Sequence, residues 1–221
     1  MNYKIVRMKR KRLTIIIENG EITVKAPKSA TVAHIESFVS QKSAWIEKKL
    51  AEHARRAAVL GGVLDYSNGM LGGTVCDITL SDAHKRIKAE DGIIYMPTKY
   101  ADKEAQKKAL KAWYKREAER VLEQRLQQLS AFTGLSYKAF ALTNAKSKWG
   151  SCDAQCGIRL NWRLVMLSPA LVDYVIIHEL SHTAHHDHSA AFWATVGKFY
   201  PDFKAARKAL KTYSALTGLY R

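Results

Sequence analysis

The sequence predicts an α+β protein in which helices pack on a small antiparallel sheet, preceded by a small β-rich region. Three observations point there. Short alternating or β-branched runs fill the first 30 residues. Apolar residues recur at helical spacing over 31–60 and 101–129. Two strand-like pieces between 139 and 166 lead into a helix opening at Ser168-Pro169.

In order, Tyr3–Arg7, Leu13–Glu18 and Glu21–Lys25 read as strands, the last two joined by the hairpin signal Asn19-Gly20, which makes an antiparallel sheet the expected outcome. From Thr31 the period becomes helical through Val32, Ile35, Phe38, Val39, Trp45, Ile46 and Leu50, and the predicted helix stops at Gly61-Gly62. Val75–Leu80 and Gly92–Met96 again read as strands. Ala101–Leu129 is a long amphipathic helix with Leu110, Trp113, Tyr114, Val121, Leu122 and Leu129 on its inner stripe, closed by Gly134. Strands around Ala139–Ser151 and Gly157–Met166 follow, then the helix from Ser168 and a last helical region interrupted at Pro201. The boundary is expected near residue 98, with a β-rich region containing one helix over 1–98 and a second domain over 99–221.

The 221 residues, 47% hydrophobic and 25% charged, are enough to bury one large core or two small ones. No early segment combines a charged start, an apolar run and a small-residue cleavage site. No apolar stretch approaches the roughly 20 residues that span a bilayer. A cytoplasmic address without membrane contact is the expectation. Cys76, Cys152 and Cys156 are too few for a disulfide framework, and two thiols without a second pair read as ordinary side chains rather than metal ligands. The net charge of +16 would attract nucleic acid, nucleotides or acidic proteins. Much of it lies at Lys4, Arg7 and Lys9–Arg12 and along 103–125, where it alternates with apolar positions as a solvated helix face does.

Residues 168–188 read SPALVDYVIIHELSHTAHHDH. On a helix that starts at Ser168 and runs through His182, His182 lies about 40° round from His178 and Glu179 within about 100°, so the three share a face. Two imidazoles separated by a rise of about 6 Å can close on one ion. Apolar residues on nearly every other side (Leu171, Val172, Val175, Ile176, Ile177, Leu180) imply a buried helix whose polar groups gather at one point. A chance HExxH string on a surface helix is the bland alternative. For the third ligand, His185 is about 10 Å of rise from His178, whereas His188 sits after the chain has turned, just before the helix cap Ser189. Asp187 and His186 are fallback candidates. Upstream, KSKWGSCDAQCGIRLNWR offers a strand edge that could hold an extended substrate. Trp149, Gly150, Ser151 and Asn161 are its candidate substrate contacts, with Lys148 and Arg163 as further polar candidates. Alternatively Trp149 and Trp162 are core aromatics and Gly150 a bulge.

The strings SKWGSC, GxIxLNWRL, LSPxxVDYVIIHELSH and DHSAAFW together resemble the YgjP-like metallopeptidase family, relatives of the SprT-like and WLM zinc proteins. The likeness extends to VKAP at 24–27, Trp45-Ile46 and the glycines near 71–73. It implies a minimal zincin fold, one zinc ion per chain held by His178, His182 and His188, and Glu179 as the catalytic acid/base. Two departures stand out: His185 occupies the place of the glycine in the longer metzincin motif, and GMLGGTVCDITL matches its counterpart loosely.

The expected function is therefore a zinc-dependent hydrolase of the metallopeptidase type. Three imidazoles would leave a coordination position for water, with Glu179 taking its proton and passing it to the departing amine of a peptide or unfolded protein. Two alternatives stay open at this point. One is a metal-dependent nucleoside triphosphate pyrophosphatase. The other is a basic nucleic-acid-binding protein in which zinc is structural.

Overall fold

The structure is a computed structural model that describes residues 2–18 and 21–220, and the backbone alone of residues 18, 53, 55–57 and 59. The Asn19-Gly20 hairpin turn lies outside the described residues. Contacts divide the chain into two compact units, Met1–Gly61 and Gly62–Arg221, so the boundary expected near 98 falls inside the second unit.

The first unit begins with strands β1 (Lys4–Met8), β2 (Thr14–Glu18) and β3 (Glu21–Pro27) in the order β1-β3-β2. β3 alternates as its sequence demands, burying Ile22, Val24 and Ala26 while Glu21 stays exposed and Thr23 and Lys25 half-buried. Those three residues form one core cluster with Ile35, Val39 and Ile46, against which Leu13, Ile15 and Ile17 pack. The helical stretch is not continuous. It divides into α1 (Val32–Gln41), capped by the Thr31 hydroxyl, which accepts the His34 amide at 3.2 Å, and α2 (Ser43–Leu64). Lys42, with ψ near 7°, breaks the ladder between them. Nor does the helix stop at Gly61-Gly62. At Gly62 a Cβ would collide with the Asn68 side chain, so this glycine serves a close approach rather than a terminus.

In the second unit β4 (Asn68–Leu71), β5 (Thr74–Leu80), β6 (Lys88–Glu90) and β7 (Ile93–Met96) form a sheet ordered β4-β5-β7-β6. The turn between β4 and β5 reaches the segment leading to the HExxH helix. Gly72 and Gly73 donate their amides to Val165 and Met166 carbonyls at 2.8 and 2.9 Å, and at Gly73, with φ near +90°, a Cβ would stand 3.0 Å from the Ser168 backbone. The long helix α3 (Lys103–Thr133) is capped by Asp102, which accepts the Ala105 amide at 2.9 Å, and is closed by Gly134 with φ near +73°. Its core residues include Leu110, Trp113, Tyr114, Leu122 and Leu129 as expected, but Ala118 and Leu126 take the inner place assigned to Val121, which is exposed. The four-residue spacing from 110 through 114, 118, 122 and 126 sets that stripe.

The sheet beneath the HExxH helix has β8 (Ala139–Thr143), β9 (Gly150–Cys152) and β10 (Gly157–Asn161) in the order β8-β10-β9. Helices α4 (Pro169–Ser181), α5 (Ala190–Phe199) and α6 (Phe203–Leu210) complete the unit, with α4 packed on α3, α5, α6, β9 and β10. The class is α+β as predicted, but the sheets are mixed rather than antiparallel. β3 runs parallel to β1, β7 to β5 and β10 to β8, while each pairs antiparallel with the strand just before it. In each case the chain crosses the end of the middle position and returns by a hairpin, a pairing choice that side-chain alternation does not encode. Residues 162–166, expected as the end of a strand, are instead a 3-10 turn (Trp162–Met166).

Candidate metal centre

α4 opens as its sequence requires, with Pro169 in the first turn and the Ser168 carbonyl accepting the Leu171 and Val172 amides, although the Ser168 hydroxyl makes no capping bond. Leu171, Val172, Tyr174, Val175, Ile176, Ile177 and Leu180 are all buried, which fixes the helix on several sides. It ends at Ser181, whose hydroxyl donates to the Ile177 carbonyl at 2.7 Å, and His182 is its C-cap. The chain then reverses and α5 begins at Ser189, whose hydroxyl accepts the Phe192 amide at 3.4 Å.

That reversal brings His188 back over the helix. Ligand nitrogens of His178, His182 and His188 lie within 4.8 Å of one another, and His178 Nε2 and His188 Nε2 are 3.2 Å apart. Two imidazoles bound to one tetrahedral zinc at about 2.05 Å would hold their nitrogens about 3.3 Å apart, so the donor set fits that ion. His182 Nδ1 lies 3.0 Å from the His185 carbonyl. A carbonyl only accepts, so Nδ1 carries the hydrogen and the Nε2 lone pair is left for a ligand. Burial pushes the His178 imidazole down to about 3 and also lowers His182, against the raising effect of the His185 carbonyl, so both rings are neutral donors. His178 Nδ1 is buried and meets no partner among the described residues.

Of the fallback ligands, Asp187 accepts the Ser189 amide at 3.0 Å and starts α5, and neither it, His185 nor His186 joins the cluster. His185 acts through its main chain.

Glu179 is buried beside this triad, and burial lifts its carboxyl to about 8 against the opposing pull of Lys148. Its room is made by Gly150, where a Cβ would stand 2.7 Å from both Cγ and Oε1 of Glu179. β9 is an edge strand. Its bonded pairings with β10 are Trp149 with Asn161, Ser151 with Arg159 and Asp153 with Gly157, so Gly150 and Cys152 turn their main-chain groups to the open edge.

The other expected substrate contacts are placed as follows. Asn161 is buried, donates to the Ala145 and Lys148 carbonyls at 2.8 and 3.1 Å, and accepts from the Arg163 amide at 3.2 Å. It pins the loop that crosses the end of β10 and has no group left for a ligand. Trp149 gives its carbonyl to the ladder at 2.7 Å, and alternation turns the Ser151 side chain to the face opposite Gly150. Arg163 is buried over the Trp162 ring and donates to the Leu219 carbonyl at 2.8 Å, so it anchors the C-terminal segment.

By its spacing after Ser189, Phe192 would be no more than part of an apolar helix face. The fully buried ring in fact underlies all three imidazoles, stacked on His182 at 4.4 Å and edge-on to His178 and His188 at 4.9 and 4.8 Å. Trp193 adds a second wall 5.7 Å from both His178 and His188. The signal available was their position three and four residues past Ser189, which reads equally well as plain core.

The family described as YgjP-like, metallopeptidase domain, matches residues 11–213 of the chain. Among solved structures, the metallopeptidase zymogen abylysin of Pyrococcus abyssi is similar at 22% identity over 42% of this chain and 93% of that one, with a TM-score of 0.39. No curated protein matches the chain.

Proposed function

We propose that this chain, which belongs to the YgjP-like metallopeptidase family and is a hydrolase of the zinc-protease type, holds one zinc ion through His178, His182 and His188 and hydrolyses peptide bonds with Glu179 as general base. The observation that carries this is the convergence of three imidazole nitrogens within 4.8 Å next to a buried carboxylate. Bound to three neutral imidazoles, zinc supplies a Lewis acid that polarises a carbonyl and makes water acidic near neutral pH.

The chain's own residues do the rest. The Glu179 carboxyl, raised by burial, would be lowered again by a cation beside it, leaving it ionised and free to accept a proton when the metal is bound. It takes the proton of the attacking water and delivers it to the departing amine nitrogen. The outward main-chain groups of Gly150 and Cys152 suit an extended peptide laid along β9, which would bring its carbonyl to the triad without demanding a particular side chain. Phe192 and Trp193 keep the imidazoles in place and shield them from water on one side.

The test joins metal analysis with Glu179→Gln. We expect about one zinc per chain in both proteins and a fall in kcat of roughly 10³-fold in the variant. Undiminished turnover would remove Glu179 from the mechanism.

A further inference from the structure

Away from the metal centre, a concavity of about 490 Å³ is lined by Lys85, Arg86, Lys99, Tyr100 and Arg116, with Ala109 and Ala112 at its base. Its four cations come from three segments: the loop between β5 and β6, the 3-10 turn Thr98–Tyr100, and the first half of α3. They are exposed and form no ion pair among the described residues. Several acids on the same segments are engaged elsewhere: Asp82 accepts from the Thr98 amide and hydroxyl at 3.0 and 2.6 Å, Glu90 pairs with Lys88, Glu104 with Lys107 and Glu117 with Arg120. Glu119, three residues along α3 from Arg116, is an exposed acid nearby.

Like charges repel, so surface cations left mobile would spread apart. Here the backbone holds them together. Asp82 ties the β5–β6 loop to the turn that carries Lys99 and Tyr100, and in the same loop the His84 ring sits edge-on to Tyr95 of β7 at 5.4 Å. A fixed concave group of four cations, two of them guanidinium forks, is built to receive several carboxylates or phosphates at once. The hydrolase class of the chain acts on polypeptide, so the anion brought here by the reaction is an acidic stretch of the substrate.

We infer that this concavity is an exosite for an acidic segment of the protein substrate. The inference rests on the peptide-hydrolysing reading of the metal centre. About 14 Å of α3 separates Arg116 from Arg125, which pairs with Asp173 at 2.6 Å, and His178 follows little more than one turn later on α4. A path on the order of 20 Å requires an acidic run some six extended residues or more from the scissile bond.

The binding arm needs no hydrolysis: a fluorescent octaglutamate peptide is titrated against the full chain. Saturable binding at about one site per chain is expected. It should weaken about tenfold in the double variant Arg86→Glu/Arg116→Glu and remain nearly unchanged in Lys204→Glu/Lys208→Glu, which alters net charge by the same amount on exposed residues of α6. Equal weakening by both variants, no saturable binding, or displacement by single-stranded oligonucleotide at tenfold lower concentration would overturn the exosite, the last pointing to nucleic acid as the occupant. In the kinetic arm, the first variant should raise KM about tenfold for a peptide with a distal acidic run and leave kcat unchanged. If no peptide is cleaved at all, the catalytic reading fails while the binding arm still decides the exosite.

Discussion

Two sheets of this protein share one topology and differ in what lies on them. In β1-β3-β2 and in β8-β10-β9 the last strand enters the middle, parallel to the first and antiparallel to the second. On the first sheet the edge strand β2 packs Ile15 and Ile17 against a cluster that includes Ile35, Val39 and Ile46. On the second the matching edge is Gly150-Ser151-Cys152, and the space that a side chain would take at Gly150 belongs to the carboxylate of Glu179. The same scaffold therefore carries an apolar cluster where the edge is branched and, where it is small, makes room for the carboxylate to which we assign the proton transfer. What separates structural from chemical use is the volume withheld at one position.

Restoring that volume is the sharpest way to break the contrast. Gly150→Ala should displace the Glu179 carboxylate and lower kcat about 100-fold with metal content intact. The opposite change on the first sheet, Ile15→Ala, should cost about 1–2 kcal/mol in unfolding and leave kcat alone. Equal effects of the two on turnover, measured per folded chain, would dissolve the distinction. Next in size, chelation should lower the melting temperature by about 10 °C relative to protein in zinc at a thousandfold excess over Kd, read by calorimetry. Phe192→Leu should weaken zinc about tenfold by competition with a chromophoric chelator, and an unchanged affinity would show the ring to be core alone.

The smallest effect concerns pH. Burial holds His178 at about 3 and depresses His182, while it lifts Glu179 from 4.5 to about 8 with the opposite sign. Below about pH 4.5, where Glu179 is protonated in both states, and down to about 3, the unfolded chain binds more protons at these groups than the folded one. Metal-free protein should lose stability as pH falls through that window and regain it as pH rises. A flat denaturant midpoint over this range would contradict the neutral-imidazole assignment.

Much of the site was readable beforehand because its geometry is local. Four residues separate His178 from His182, and the helix period alone puts them on one face. His188 could be chosen because Ser189 marks the next helix start. Signals that depend on distant partners were misread. Gly62 looks like a helix stop until Asn68 is seen beside it, and Asn161 looks like a ligand contact until the crossing loop claims its amide. Parallel pairing of β8 with β10 leaves no trace in either strand's alternation. Phe192 obeys the same spacing rule as any core residue, so its contact with three imidazoles emerges only from the return of the chain.

The glycine turn between β4 and β5 has a mechanical bearing on the chemistry. It clamps the chain at Val165, Met166 and Ser168, and His178 stands ten residues farther along a stiff rod, a lever of about 15 Å. A tilt of roughly two degrees at that fulcrum would swing the imidazole by about 0.5 Å, the tolerance within which a functional constellation must be kept. A hairpin that touches none of the histidines thus sets the aim of the first of them.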